Sequence, residues 1–176
     1  MSTYGPEEFT LHNGSKVSIR ALDASQLEKI AKSVSQFAEE ITHTQEADAA
    51  FLIDELKKRW ELVHLFLGVF ENDQLIAYLT LRRPFPDRPW AKHIGEFGFM
   101  VLSRYWEQGI GSKLLKVMED LAKESGINRL EARVRIKNQR ATNLFIRNHY
   151  HIEGKRRQAA LINGNYEDEY FVAKII

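Results

Sequence analysis

The sequence predicts a single-domain α/β (α+β) fold, a mixed sheet with helices packed against it. Short apolar or alternating runs bounded by turn residues recur along the chain, and amphipathic segments with helical spacing lie between them. Their order is strand, two helices, three strands, helix, strand, helix, two strands, unlike the regular alternation of a doubly wound fold. The length of 176 residues suits one domain, 1–176, with a core that stands without staples.

Val17–Arg20 reads as a short strand after the Asn13–Gly14 turn. Ser25 is placed to cap a helix on which Leu27, Ile30, Ala31 and Val34 repeat at helical spacing. A second helix fits Asp48–Leu62, where Phe51, Leu52, Leu56 and Trp60 share a face. Leu65–Phe70 and Leu75–Leu81 flank the polar tetrad Glu71–Gln74 as a hairpin. Pro84, Pro86 and Pro89 make Arg82–Trp90 a loop, since no central strand tolerates them. Ile94–Val101 is a strand rich in bulky residues.

Gly109–Ser125 is a helix with Leu114, Leu115, Met118, Leu121 and Ala122 on its apolar face, closed by Gly126. Leu130–Ile136 alternates apolar and charged residues as a half-buried strand does. A short helix fits Gln139–Arg147, and the chain ends in a hairpin, Arg156–Ile162 and Tyr166–Ile175, turned at Asn163–Gly164.

Hydrophobic residues make up 44% and charged residues 28%, which excludes disordered and fibrous classes. A net charge of +1 demands neither nucleic acid nor an anionic membrane as partner. The absence of cysteine rules out disulfides, thiolate–zinc sites and a cysteine nucleophile. The histidines show no metal-ligand spacing, so no metal is expected. Met1–Thr10 lacks a signal-peptide layout and no apolar run could span a bilayer, so a cytoplasmic location is the default expectation.

The chemically informative stretch is Gly95–Ser112, a strand running through a glycine-containing turn into a helix. Glycines allow close backbone approach, and a helix start offers unsatisfied N–H groups at a positive dipole end. Together they can cradle a pyrophosphate without cationic side chains. Gly111-Ser112-Lys113 has the wrong order for a Walker loop, and Leu114 fills the third glycine position of a dinucleotide loop. A tight turn that merely starts a helix stays open at this point.

Val101-Leu102-Ser103-Arg104-Tyr105-Trp106-Glu107-Gln108-Gly109-Ile110-Gly111-Ser112-Lys113-Leu114-Leu115 resembles the acyl-CoA pyrophosphate motif of the GNAT superfamily, an Arg/Gln-x-x-Gly-x-Gly/Ala segment. Asn138-Gln139-Arg140-Ala141, leading to Leu144-Phe145, is similar to the family's downstream Asn-x-x-Ala helix. Ile19-Arg20 and Tyr166-x-Asp168 also match habitual positions, so the resemblance runs from Val17 to Lys174. Trp106 departs from the usual Arg or Gln, and Glu107 from a small residue. Phe145 stands where many members carry a tyrosine that protonates the leaving thiolate, and His149-Tyr150 replaces Gly-Phe.

The resemblance implies an acyl-CoA N-acyltransferase fold, with a mostly antiparallel twisted sheet and helices on both faces. It implies acetyl-CoA as cosubstrate and a primary amine as acceptor. Backbone groups at Met100, Val101 and Leu102 would pair with the pantetheine arm, and Gln108, Gly109, Ile110, Gly111 and Ser112 would hold the pyrophosphate. Asn138 and Asn143 would face the pantetheine or the adenine end, with a helix N-cap as the plain alternative for Asn138. Glu96 is the candidate general base, with an ion pair to Arg82 or Arg133 as its alternative, and Tyr150 is a candidate acid. Family members are often dimers, which makes a homodimer a further expectation. A non-catalytic acyl-CoA sensor on the same fold is the rival reading.

Overall fold

The computed structural model describes residues 4–23 and 63–176 of the chain. The expected helices around Leu27–Val34 and Asp48–Leu62 lie outside the described residues. The rest forms eight strands in one sheet: β1 Glu7–Thr10, β2 Lys16–Ala21, β3 Val63–Glu71, β4 Gln74–Arg82, β5 Ile94–Val101, β6 Arg129–Arg135, β7 His151–Ile162 and β8 Asn165–Ile175. Two α-helices cross between them, α1 Ile110–Glu124 and α2 Gln139–Arg147.

The spatial order is β1-β2-β3-β4-β5-β6-β8-β7. Every neighbouring pair is antiparallel except β5 and β6, so the sheet is mixed and mostly antiparallel, as expected. The β3–β4 turn has Asn72 and Asp73 at positive φ, and the β7–β8 turn has Asn163 and Gly164 there. Both are two-residue turns whose twist matches the flanking strands.

Helix α1 carries Leu114, Leu115, Val117, Met118, Leu121 and Ala122 inward and packs on β3, β4 and β5. Helix α2 lays Phe145 against Phe97 and Phe99 of β5, with ring centroids 5.9 Å apart in each case. The helices meet where Gly111 faces Leu144: a β-carbon at Gly111 would stand 2.6 Å from Leu144 Cδ2. Among the described residues no helix is long and apolar enough to cross a membrane.

The parallel seam is short. Residues Ile94–Glu96 of β5 pair with Arg129–Glu131 of β6, and pairing stops there although both strands run on. The two strands therefore part and leave a gap along the second half of β5.

Candidate active site

Strand alternation decides which groups of β5 look into the gap. Leu102 N–H donates to Ile76 O at 3.0 Å, and in the same register Met100 faces Tyr78 of β4. In an antiparallel ladder the residues bonded to the partner alternate with residues whose N–H and C=O point away. Met100 and Leu102 thus spend their backbone on β4, while Phe99 and Val101 turn theirs to the gap. The Leu102 carbonyl is also taken, accepting from Tyr105 N–H at 2.9 Å. Of the three residues expected along the gap, the ladder turns Met100 and Leu102 toward β4 and leaves Val101, with Phe99, facing the gap. Period-two reasoning from Val101 would have found Phe99 in the sequence.

The gap ends at the loop Leu102–Gly109. Tyr105 anchors it: the ring is buried and the hydroxyl donates to Glu71 Oε2 at 2.6 Å. Burial first, then the Glu71 carboxylate, holds that phenol above its ordinary range, with Arg104 opposing. Trp106 Nε1–H donates to Val101 O at 2.8 Å, so the indole caps the last gap-facing carbonyl of β5. Across the gap, the guanidinium of Arg140 in the first turn of α2 stacks on the Trp106 ring, 3.5 Å from its centroid.

The loop then turns through two left-handed residues, Glu107 (φ 62°) and Gly109 (φ 87°), into α1. That conformation costs a non-glycine residue about 1–2 kcal/mol, so something must hold Glu107 there. His12 Nδ1 lies 2.8 Å from Glu107 O, and Asn13 N–H donates to Gln108 Oε1 at 3.0 Å. The Gln108 side chain is therefore committed to the β1–β2 turn.

Gly109 is the N-cap of α1 and has no side chain to cap it. Among the described residues, no protein acceptor bonds the amides from Gln108 to Ser112, and the next amide, Lys113 N–H, already donates to Gly109 O at 3.1 Å. This is a run of outward N–H donors at a helix N-terminus. Ile110 anchors it with a buried side chain, and Ser112 Oγ accepts from Asn148 Nδ2 at 3.1 Å.

Asn138 caps α2, its Oδ1 accepting from Ala141 N–H at 3.1 Å, which is the alternative the sequence left open. Asn143 is exposed on α2. Glu96 sits where the seam ends, on the face of the sheet opposite Phe97. Its carboxylate accepts from Arg82 Nη2 at 2.8 Å and Arg133 Nη2 at 3.0 Å, so both ion pairs weighed from the sequence are present.

Tyr150 lies in the core, its ring centroid 5.5 Å from those of Phe97 and Phe145. Its hydroxyl is buried and has no hydrogen-bond partner among the described residues. Burial, then the nearby charge of Glu119, raises that phenol well above its ordinary range. Both Glu119 oxygens accept from Lys174 Nζ at 2.8 Å.

Comparison with known proteins fits this geometry. A GNAT family acetyltransferase from Streptococcus pneumoniae superposes with a TM-score of 0.76 at 23% identity, covering 91% of this chain and 99% of its own. The yncA protein of Salmonella typhimurium, solved with its cofactor acetyl-CoA, superposes with a TM-score of 0.73 at 18% identity, covering 90% and 93%. By sequence the chain is 29% identical over 105 residues to the L-amino acid N-acetyltransferase AaaT of Escherichia coli K12, covering 59% of this chain and 64% of that protein. It is 28% identical over 109 residues to the ribosomal-protein-serine acetyltransferase of the same strain, covering 61% and 59%. The matches thus span less than two thirds of the length of either curated relative. Residues 27–150 match the acetyltransferase (GNAT) family. A parted β5–β6 seam that leads to unpaired amides at a helix start, on a chain matched over that span, places the protein in the acetyltransferase (GNAT) family.

Proposed function

We propose that the chain is an acetyl-CoA-dependent N-acetyltransferase that passes an acetyl group to a primary amine by direct attack in a ternary complex. One observation carries this reading: the gap edged by the backbone of Phe99 and the N–H of Val101 ends beside the amides of Gln108–Ser112, which no acceptor among the described residues bonds. An amide-bearing arm needs main-chain partners along its length, and a diphosphate needs converging N–H donors with little bulk around them. Here the two stand end to end. The acetyl-CoA of the yncA protein and the names of both curated relatives support the same reading.

When bound, acetyl-CoA supplies an activated thioester carbonyl and a thiolate leaving group. The residues of the chain do the rest. Positioning two reactants contributes about 7–11 kcal/mol. Freeing a lysine-like amine of its proton costs about 4–5 kcal/mol at pH 7 and an α-amine about 1 kcal/mol. Glu96 is the proposed acceptor of that proton, directly or through one water. The N–H of Val101 is the proposed donor to the carbonyl oxygen, because Leu102 N–H is already bonded to Ile76 O. Tyr150 is the proposed proton source for the departing thiolate: its phenol is kept protonated by burial and packs on Phe97 of β5. Protein N-termini, polyamines, amino acids and small-molecule amines are the acceptor classes this chemistry admits.

The test is thiol release from acetyl-CoA against an amine panel that includes a free amino acid, a peptide N-terminus and a polyamine. Release with at least one amine is expected. Gly109→Glu should abolish coenzyme A binding in calorimetry, because it puts bulk and like charge at the amides while also straining a positive φ. Unchanged affinity would remove the diphosphate from this loop. A second reading, binding without turnover, draws on Phe145, a buried ring without a hydroxyl at the position where, by the resemblance, many family members carry tyrosine. Tight coenzyme A binding with no release for any amine would favour it.

A further inference from the structure

The β1–β2 turn is bound to the loop that precedes α1, although the two are 95 residues apart in the chain. The turn is a rigid object in its own right. Leu11 N–H donates to Ser15 O and Gly14 N–H to Leu11 O, both at 2.9 Å, and Ser15 N–H donates to Asn13 Oδ1 at 2.9 Å. From its tip, His12 reaches Glu107 O and Asn13 reaches the Gln108 side chain. A carbonyl only accepts, so Nδ1 of His12 carries the proton in this contact. The other nitrogen, Nε2, lies 3.2 Å from where a β-carbon on Gly109 would stand, so the imidazole lies against the glycine itself. Lys113 of α1 and Glu7 of β1 form an ion pair, which fastens the same two parts one helical turn further on.

The peptide that His12 grips is the one whose conformation matters. Glu107 is left-handed without being glycine, and its carbonyl direction sets the plane from which the following amides project. We infer that His12 is a positioning residue of the cofactor site, holding the Glu107 peptide so that the amides of Gln108–Ser112 converge on one anion. This rests on the placement of the diphosphate proposed above. Nothing in the strand pattern of the N-terminal segment points to the role, because His12 lies in a turn and is exposed.

His12→Ala removes the grip, and His12→Asn keeps an N–H donor near the position of Nδ1 while removing Nε2. Coenzyme A affinity by calorimetry, steady-state kinetics with acetyl-CoA varied, and melting temperature should be measured for both variants beside the unaltered chain. A hydrogen bond to a neutral acceptor is worth about fivefold in an equilibrium, and loss of loop order adds to it. We expect His12→Ala to weaken coenzyme A binding about tenfold and to raise KM for acetyl-CoA equally. The kcat at saturation, the KM for the amine and the melting temperature should hold, and His12→Asn should recover most of the affinity. Unchanged affinity in His12→Ala overturns the assignment, as does an Asn variant as weak as Ala. An equal fall in kcat and melting temperature would make His12 a general structural residue and also overturn it. An unaltered chain that fails to bind coenzyme A overturns instead the placement of the diphosphate, and this inference with it.

Discussion

Glu96, the base of the proposed mechanism, is also the centre of a charge cluster. Its carboxylate is held between two guanidinium groups from flanking strands, and that grip fixes it at the point where β5 and β6 part. Glu96→Gln keeps an oxygen acceptor for the arginines and loses the ability to take a proton. The expected outcome is a fall in kcat of about 100-fold with KM for acetyl-CoA little changed, read from steady-state rates across pH. A normal rate would remove Glu96 as base. The pairing was legible in the sequence as an alternative, because Arg82 and Arg133 sit at cross-strand positions. The packing duty of Gly111 was not: its missing β-carbon makes room for Leu144, a demand set by a helix that begins 28 residues later and carried by no local pattern.

At the scale of elements, β5 has two edges in different states. Gly98 and Met100 are bonded to β4, while Phe99 and Val101 present their amides to the gap. Hydrogen exchange resolved by residue should therefore alternate along this one strand, with Phe99 and Val101 fast and Gly98 and Met100 slow. Coenzyme A should slow the two fast amides and leave the slow pair unchanged; uniform protection without ligand would close the gap. The sequence placed β5 and α2 with the bounds observed, because bulky strand residues and helical spacing are strong local signals. It missed β1 and the first half of β7 for a physical reason. Glu7–Thr10 offers one large apolar residue, and His151–Gln158 is exposed throughout, so neither shows a buried face to read. Their pairing is imposed by neighbours, β2 and β8.

Across the whole molecule, charge pairs fasten distant segments. Glu7 bonds Lys113 and Tyr4, Glu153 bonds Arg129, and Asp168 bonds Lys155 and the amide of Gln158. In each case the hydrogen bond from the partner pulls the carboxyl below its ordinary range. A group depressed in the folded state stabilises above its unfolded pKa, and that stabilisation goes as pH falls through the folded value. The melting temperature should be flat toward neutral pH and decline as pH drops below the ordinary carboxylate range; an unchanged melting temperature down to strongly acid pH would count against these pairs.

The short β5–β6 seam divides the sheet into two leaves, β1–β5 and β6–β8–β7, stitched by three residue pairs. The chief covalent brace between them is α1, which leaves the end of β5 and returns the chain to the start of β6. An anion seated on the first turn of that brace would therefore sit at the junction of the two leaves, where the covalent link between them begins.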